Sequence, residues 1–409
     1  MTAAPTSFLE RLREEARQRF SELGYPDTHN EDWRFTSVAP IARTKFVAGA
    51  PADGWSQEQR GDGYVINFYN GHPLPESSKL PRGVEVTTLG KVLRTRPELL
   101  EPHLGRYASY QNDAFVALNT AEMQDGAFIQ IAKGVVVDAP IYLNFVSMPG
   151  KAATVSHPRN LILTGPDSQA TIIESYVGGG DHTYFTNPVT EIVAGDHAVI
   201  DHYKFQVESE QAFHVATMQV QVGRDTNFSS HSIAFGGGLV RNDVNAVLSE
   251  GSECTLNGLY LVHGDQHIDN HTAIDHAKPH AASHELYKGI LDGKSSAVFN
   301  GKILVRKDAQ KTDAKQTNKN LVLSENAVID TKPELQIHAD DVRCTHGATI
   351  GQLDPEGVFY LQSRGIGVAD AKNLLIYAFA RDMVDRVKVE ALREQLEQIL
   401  LEKLRANRG

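Results

Sequence analysis

The chain has 409 residues, a formal net charge of −11 and two cysteines, Cys254 and Cys344. A chain of that length can bury a sizeable core without staples, and two distant cysteines outside any Cys-x-x-Cys pair exclude a disulfide framework and a self-sufficient tetrahedral metal site. Dispersed basic residues, the lack of any run near the ~20 apolar residues of a membrane helix, and no leader-like start give the expectation of a soluble cytoplasmic protein, with neither nucleic acid nor membrane as a partner.

Ser7 with Glu10 three residues on predicts a capped helix start, and Phe8, Leu9, Leu12, Ala16, Phe20 and Leu23 mark one apolar face before Gly24 and Pro26 stop it. After Asn30-Glu31-Asp32-Trp33-Arg34-Phe35 the pattern turns irregular. A strand is predicted from Tyr64 to Phe68, with helical patches from about Leu89 to Met123. Residues 1–123 therefore read as a mixed, mostly helical N-terminal unit.

From residue 124 the texture becomes short β-branched and apolar alternations cut by Gly, Asp, Ser and Asn. A polar turn, a small residue and an apolar residue two places on recur at Ala127, Ala170, Ala198, Cys254, Ala297 and Ala327. The steps between these marks are 43, 28, 56, 43 and 30 residues, and Asn227 lies near the middle of the 56-residue step. A unit near 28 residues, sometimes lengthened, predicts a parallel β-helix, or solenoid, over residues 124–355, with a β-sandwich or barrel as the alternative. The end coils need covers, and the helical units at either end are expected to supply them.

Residues 356–409 read as a helical C-terminal unit. Asp370 is placed at a helix start, Leu375, Phe379, Met383 and Val387 step by four with Leu374 and Ala378 beside them, and a second face follows at Leu392, Leu396, Leu400 and Leu404. Two short helices have few ways to bury both faces. A docked partner therefore stands beside mutual packing as a reading.

The sharpest chemical candidate is Cys344-Thr345-His346. Residues two apart on a strand face one side, so a thiol and an imidazole would project together toward a soft or borderline metal. They supply two of about four ligands, and the rest must come from a partner; the alternative is a buried structural cysteine beside a hydrogen-bonded histidine. A second candidate for metal handling is His263, His267, His271, His276, His280 and His284, interleaved with Asp265, Asp269 and Asp275. Gly264 and Pro279 argue against one helix carrying them. Gly289 to Ser295 imitates a phosphate loop but has one residue too few between its glycines, and it reads as a coil corner, as do Gly178–Gly180 and Gly236–Gly238. No catalytic residue can be singled out. The alternative function is a solenoid enzyme acting on polysaccharide.

His267-Ile268-Asp269-Asn270-His271-Thr272, Leu286 to Leu291, Asp330 to Leu335, Cys344 to Thr349 and Phe359 to Ile366 together resemble the paired SufB/SufD scaffold family of the SUF iron–sulfur assembly system. Asn30 to Phe35 is similar to that family's N-terminal motif. The resemblance implies a non-catalytic scaffold with a β-helix between helical ends. It implies a SufB-like scaffold partner, with Cys344 and His346 at the seam between the two, and a SufC-like ATPase docked on the C-terminal helices through Leu374, Leu375, Phe379 and Met383. By the same resemblance no cofactor is stably held by the chain alone, and iron or a nascent cluster sits only transiently at the seam. Ala327, ahead of Thr331-Lys332-Pro333, stands where the SufB-like member carries a cluster-bearing cysteine before a Thr-x-Pro turn. That departure favours the SufD-like side. Self-association as a homodimer is the other pairing the sequence leaves open.

Overall fold

The structure is a computed structural model that describes residues 7–51, 63–75, 79–148 and 150–406. Its centre is a β-solenoid of about seven turns. The described strands form two sheets, one of 12 strands and one of 10, and from Val189–Ala194 onward successive strands fall alternately into the two. Within each sheet the solenoid strands pair parallel and in register, for example Phe213 with Leu239 and Phe128 with Leu161, so that a coil takes 26 to 33 residues. The 43-residue steps of the sequence are coils and a half. Ala127 and Ala297 lie on the 12-stranded sheet, whereas Ala170 and Cys254 lie on the other.

Inward side chains of both sheets meet in one core that includes Ile129, Ile172, Ile200, Val220, Phe228, Leu256, Ile274 and Phe299. Glycines make room for rings there: a Cβ at Gly289 would lie 2.3 Å from the Tyr260 ring. Residues Gly289 to Ser295 finish a strand ending at Leu291 and turn at Gly293, φ 68°, so this segment is a coil corner with no helix behind it.

Seven α-helices flank the solenoid: α1 (Phe8–Leu23), α2 (Ala39–Arg43), α3 (Leu89–Thr95), α4 (Ala114–Glu122), α5 (Pro355–Ser363), α6 (Val368–Val384) and α7 (Glu390–Ala406). Helix α1 carries the predicted capping box between Ser7 and Glu10. Helix α6 starts two residues before Asp370, with Gly367 as its N-cap. The helices do not cover the solenoid's ends, as the repeat pattern suggested; they cover its faces. Leu12, Leu89, Val92, Leu100 and Leu104 pack on the outward Phe128 and Leu161 of the 12-stranded sheet. Ile376, Ala380, Met383, Leu392, Leu396, Leu400 and Leu404 pack on the outward Ile173, Tyr203, Phe205, Ile233, Leu259 and Ile290 of the other. The 10-stranded sheet and the early strands of the 12-stranded sheet are therefore apolar on both faces, which demands a cover on those outer sides. None of the described helices is long and apolar enough to cross a membrane.

Two buried ionic anchors fix these covers. On the N-terminal side the Glu191 carboxylate, 0% exposed, accepts the backbone N–H groups of Gly105 (3.1 Å), Tyr107 (2.9 Å) and Ala108 (2.9 Å) and an Arg159 N–H at 2.7 Å. On the C-terminal side the Lys288 ammonium donates to the Phe379 carbonyl at 3.1 Å and pairs with Asp382 at 2.7 Å, binding α6 to its sheet. Glu191→Ala leaves the Arg159 guanidinium buried without its counter-charge, and the expected loss is about 3–5 kcal/mol in urea denaturation. Lys133→Ala, which removes an exposed partner of Asp167, should cost no more than about 1 kcal/mol.

Candidate functional site: the open end of the solenoid

The two ends of the solenoid differ. At the first end, strand Tyr64–Tyr69 joins the 10-stranded sheet and Val84–Thr88 runs antiparallel to Ala127–Ile131, so strands from before residue 124 extend both sheets. At the other end, Val328–Ile337 pairs only with Ser296–Val305, and Arg343–Gly351 only with Asp313–Val322, among the described strands. The outer edges of this last coil present unpaired backbone groups and apolar side chains. Ile350 is 54% exposed, whereas Tyr260 three coils further in along the same column is 1% exposed. Thr331-Lys332-Pro333 belongs to the edge strand and forms no turn. An edge position tolerates proline because a missing N–H there interrupts no central ladder. Ala327, just before this strand, packs half-buried on the core.

Cys344 and His346 lie on this last coil. Register places Cys344 beneath Ala314, Ser283 and Cys254, and His346 beneath Gln316, Glu285 and Leu256, two adjacent inward columns of the 10-stranded sheet. The strand therefore brings thiol and imidazole to the same inward face, as the spacing predicted. Cys344 is half-buried beside Ile303, Val305 and Ala314, and that burial holds its thiol above the ordinary range. His346 is exposed. Cys254, three coils further in along the Cys344 column, is sealed, and burial pushes its thiol up strongly.

No three His, Cys, Asp or Glu side chains are placed to hold a metal among the described residues. Cys344 and His346 offer a soft sulfur and a borderline nitrogen, a donor set that suits iron, but only as half of a site.

Behind this pair lie residues that the sequence reading did not single out. Gln316, 1% exposed, donates from Nε2 to Glu285 Oε2 at 2.7 Å, while its own Oε1 has no partner. Burial pushes the Glu285 carboxyl up to about 7, only partly offset by contacts with Thr272 and Gln316. The signal for them is the two-residue spacing, which becomes readable once the coil register is known.

The six histidines do not gather. His267 and His271 share an outer face, where His267 meets Thr36 and Ser296, and His271 lies 3.1 Å from Asp269. His276 points inward to Ser283, its ring pushed down to about 4 by burial. His263 lies near Glu210, His280 occupies a turn at φ 63°, and His284 is exposed on the other sheet. Of the docking candidates, Leu374 is 46% exposed, Leu375 and Phe379 are half-buried, and Met383 is 3% exposed in the chain's own core. Met383 therefore has no surface to offer a partner. Phe359, 72% exposed, and Tyr360 and Val368 are further exposed apolar side chains of α5 and α6.

Residues 146–379 match the family model for the SufBD core domain of the SUF iron–sulfur cluster assembly system, and residues 62–143 match that for the SufBD N-terminal region. The chain is 34% identical to an iron–sulfur cluster assembly SufBD family protein of Synechocystis, over 96% of this chain and 90% of that protein. It is 31% identical to the iron–sulfur cluster assembly protein SufD of Escherichia coli, over 93% of this chain and 89% of that one. With SufD of Bacillus subtilis it shares 26% identity over 79% of this chain and 75% of that one.

The interior carboxyl makes a pH prediction. Unfolded, Glu285 loses its proton near 4.5; folded, it keeps the proton until about 7. Between those values the folded state binds more protons, so a rise in pH lowers stability, by on the order of 3 kcal/mol once both values are passed. The stability difference between the native chain and Glu285→Gln, followed by urea denaturation from pH 4.5 to 8, should grow across that window in favour of the variant. A pH-independent difference would contradict a carboxyl that stays protonated in the core.

Proposed function

We propose a function from one established premise: this chain belongs to the SufBD family of SUF-system iron–sulfur cluster assembly proteins. Its role is that of a non-catalytic, SufD-like scaffold in the cytoplasm, whose open solenoid end is completed by a SufB-like partner. The observation that carries this reading is the last coil, where two free strand edges and the Cys344–His346 pair lie together. Free edges are templates for another chain's strands, and a half-set of ligands asks for its remainder from whatever covers it. A second copy of this chain meets the same edge requirement, so a homodimer is the competing pairing.

Iron or a nascent cluster is the cargo of this seam, and none is held stably by one chain. The Cys344 thiol, kept neutral by burial, releases its proton to solvent as it ligates metal; His346 supplies nitrogen. A SufC-like ATPase docks on the exposed patch of α5 and α6. Two such ATPases, one on each scaffold, shift the seam through contacts that differ between an open and a closed arrangement of the scaffolds.

Cys344→Ala and His346→Ala should each impair cluster assembly in cells that depend on this chain, measured as the activity of a cluster-requiring enzyme, while co-purification with the SufB-like partner persists. Native-level assembly by both variants would remove the seam role. For the ATPase, deleting α6 and α7 would strip the cover from a sheet, so surface changes are the sharper probe. Leu374→Asp combined with Phe359→Ser should lower ATPase co-purification at least ten-fold with the thermal midpoint unchanged; full recovery of the ATPase would place its dock elsewhere.

A further inference from the structure

From the geometry of the inward columns we infer that Gln316 is a positioning residue for His346: its amide oxygen is the acceptor for the His346 ring N–H when that ring ligates metal. This rests on the seam reading above and names a residue that reading does not include. Gln316 and His346 are direct register partners on neighbouring parallel strands, and both face inward. The Gln316 amide is fixed from behind, since Nε2 donates to Glu285 Oε2 at 2.7 Å, which turns Oε1 away from that contact. Oε1 is buried and has no partner among the described residues. A buried acceptor left unpaired is destabilising, so it marks a bond made in another state of the molecule.

His346 is the complementary group. Its exposed ring has two nitrogens, and a ring that binds metal through one generally donates the other N–H to an outer acceptor, which selects the tautomer and orients the ring. Space for the amide is provided by Gly301, where a Cβ would fall 2.2 Å from Gln316 Nε2. The chain thus carries an acceptor, held in place by Glu285 and Gly301, under a ligand whose metal arrives later.

The test uses cobalt(II) as probe on the full-length chain co-purified with its SufB-like partner, with the part of the thiolate-to-cobalt absorption band that Cys344→Ala removes reporting ligation by Cys344. Gln316→Leu is expected to weaken cobalt binding about ten-fold or more. Gln316→Glu, which keeps an oxygen at that position, should bind within about three-fold of the native chain. If Gln316 served packing alone, Gln316→Leu would lower the thermal midpoint of the metal-free chain and leave the cobalt affinity of the folded chain unchanged; that result overturns the inference. The controls separate it from the seam reading. Loss of binding in Cys344→Ala and His346→Ala with native affinity in Gln316→Leu refutes the positioning role alone. Native affinity in all three refutes the metal site itself and the inference with it.

Discussion

Parallel, in-register stacking is the constraint from which the remaining features follow. Among the described strands, each inner coil of the solenoid pairs with the coil before it and the coil after it, whereas the last pair, Val328–Ile337 and Arg343–Gly351, pairs on one side only. Register also passes side-chain columns from coil to coil, so whatever lies inside one coil is presented at the mouth by the final one. Cys254 and Cys344 occupy the same column and differ only in depth. Depth decides their chemistry, because the inner thiol has no access to solvent or metal while the outer one stands half-open.

The helical covers follow from the same stacking. Where strands are apolar on both faces they bury one side against the opposite sheet and still need an outer layer, and that layer is α1 to α4 on one side and α6 with α7 on the other. With both faces covered and the first end extended by early strands, the last coil is the place where the solenoid still offers strand edges. The buried ions serve this arrangement: Glu191 collects the Gly105–Ala108 backbone onto one sheet, and Lys288 ties α6 to the other. Each is a charge in an apolar layer, so each specifies one docking geometry more than it adds net stability.

Much of this was legible in the sequence because it is local. The Ser7–Glu10 capping box, the Tyr64 strand, the two apolar faces of the C-terminal helices and the strand spacing of Cys344 and His346 depend on neighbours within a few residues. The recurring marks also gave the solenoid, although steps of 43 residues looked like irregular coils until the two sheets separated them. What was hidden depends on distant packing. Leu392, Leu396, Leu400 and Leu404 announce an apolar face but not its partner, which is a sheet built more than a hundred residues earlier for several of its contacts. The histidines spaced by about four scattered because one strand carries His267 and His271 on its outer face and His276 on its inner one, while His263 and His280 fall between strands and His284 lies on the other sheet.

A polar column under the mouth is costly in an apolar core, since an isosteric hydrophobic pair in place of Glu285 and Gln316 would remove both the unpaired acceptor and the buried carboxyl. The cost makes sense if its recovery is deferred. In the uncovered chain Gln316 Oε1 lacks a donor among the described residues, and burial favours the protonated form of the Cys344 thiol. On the proposed reading, metal ligation would take the proton from the thiol and fix which ring nitrogen of His346 donates, and covering the end would exclude the water that competes for both. The free energy lost inside one chain would then become a term favouring the covered, metal-bearing state and tie binding at the seam to the order of the coils beneath it.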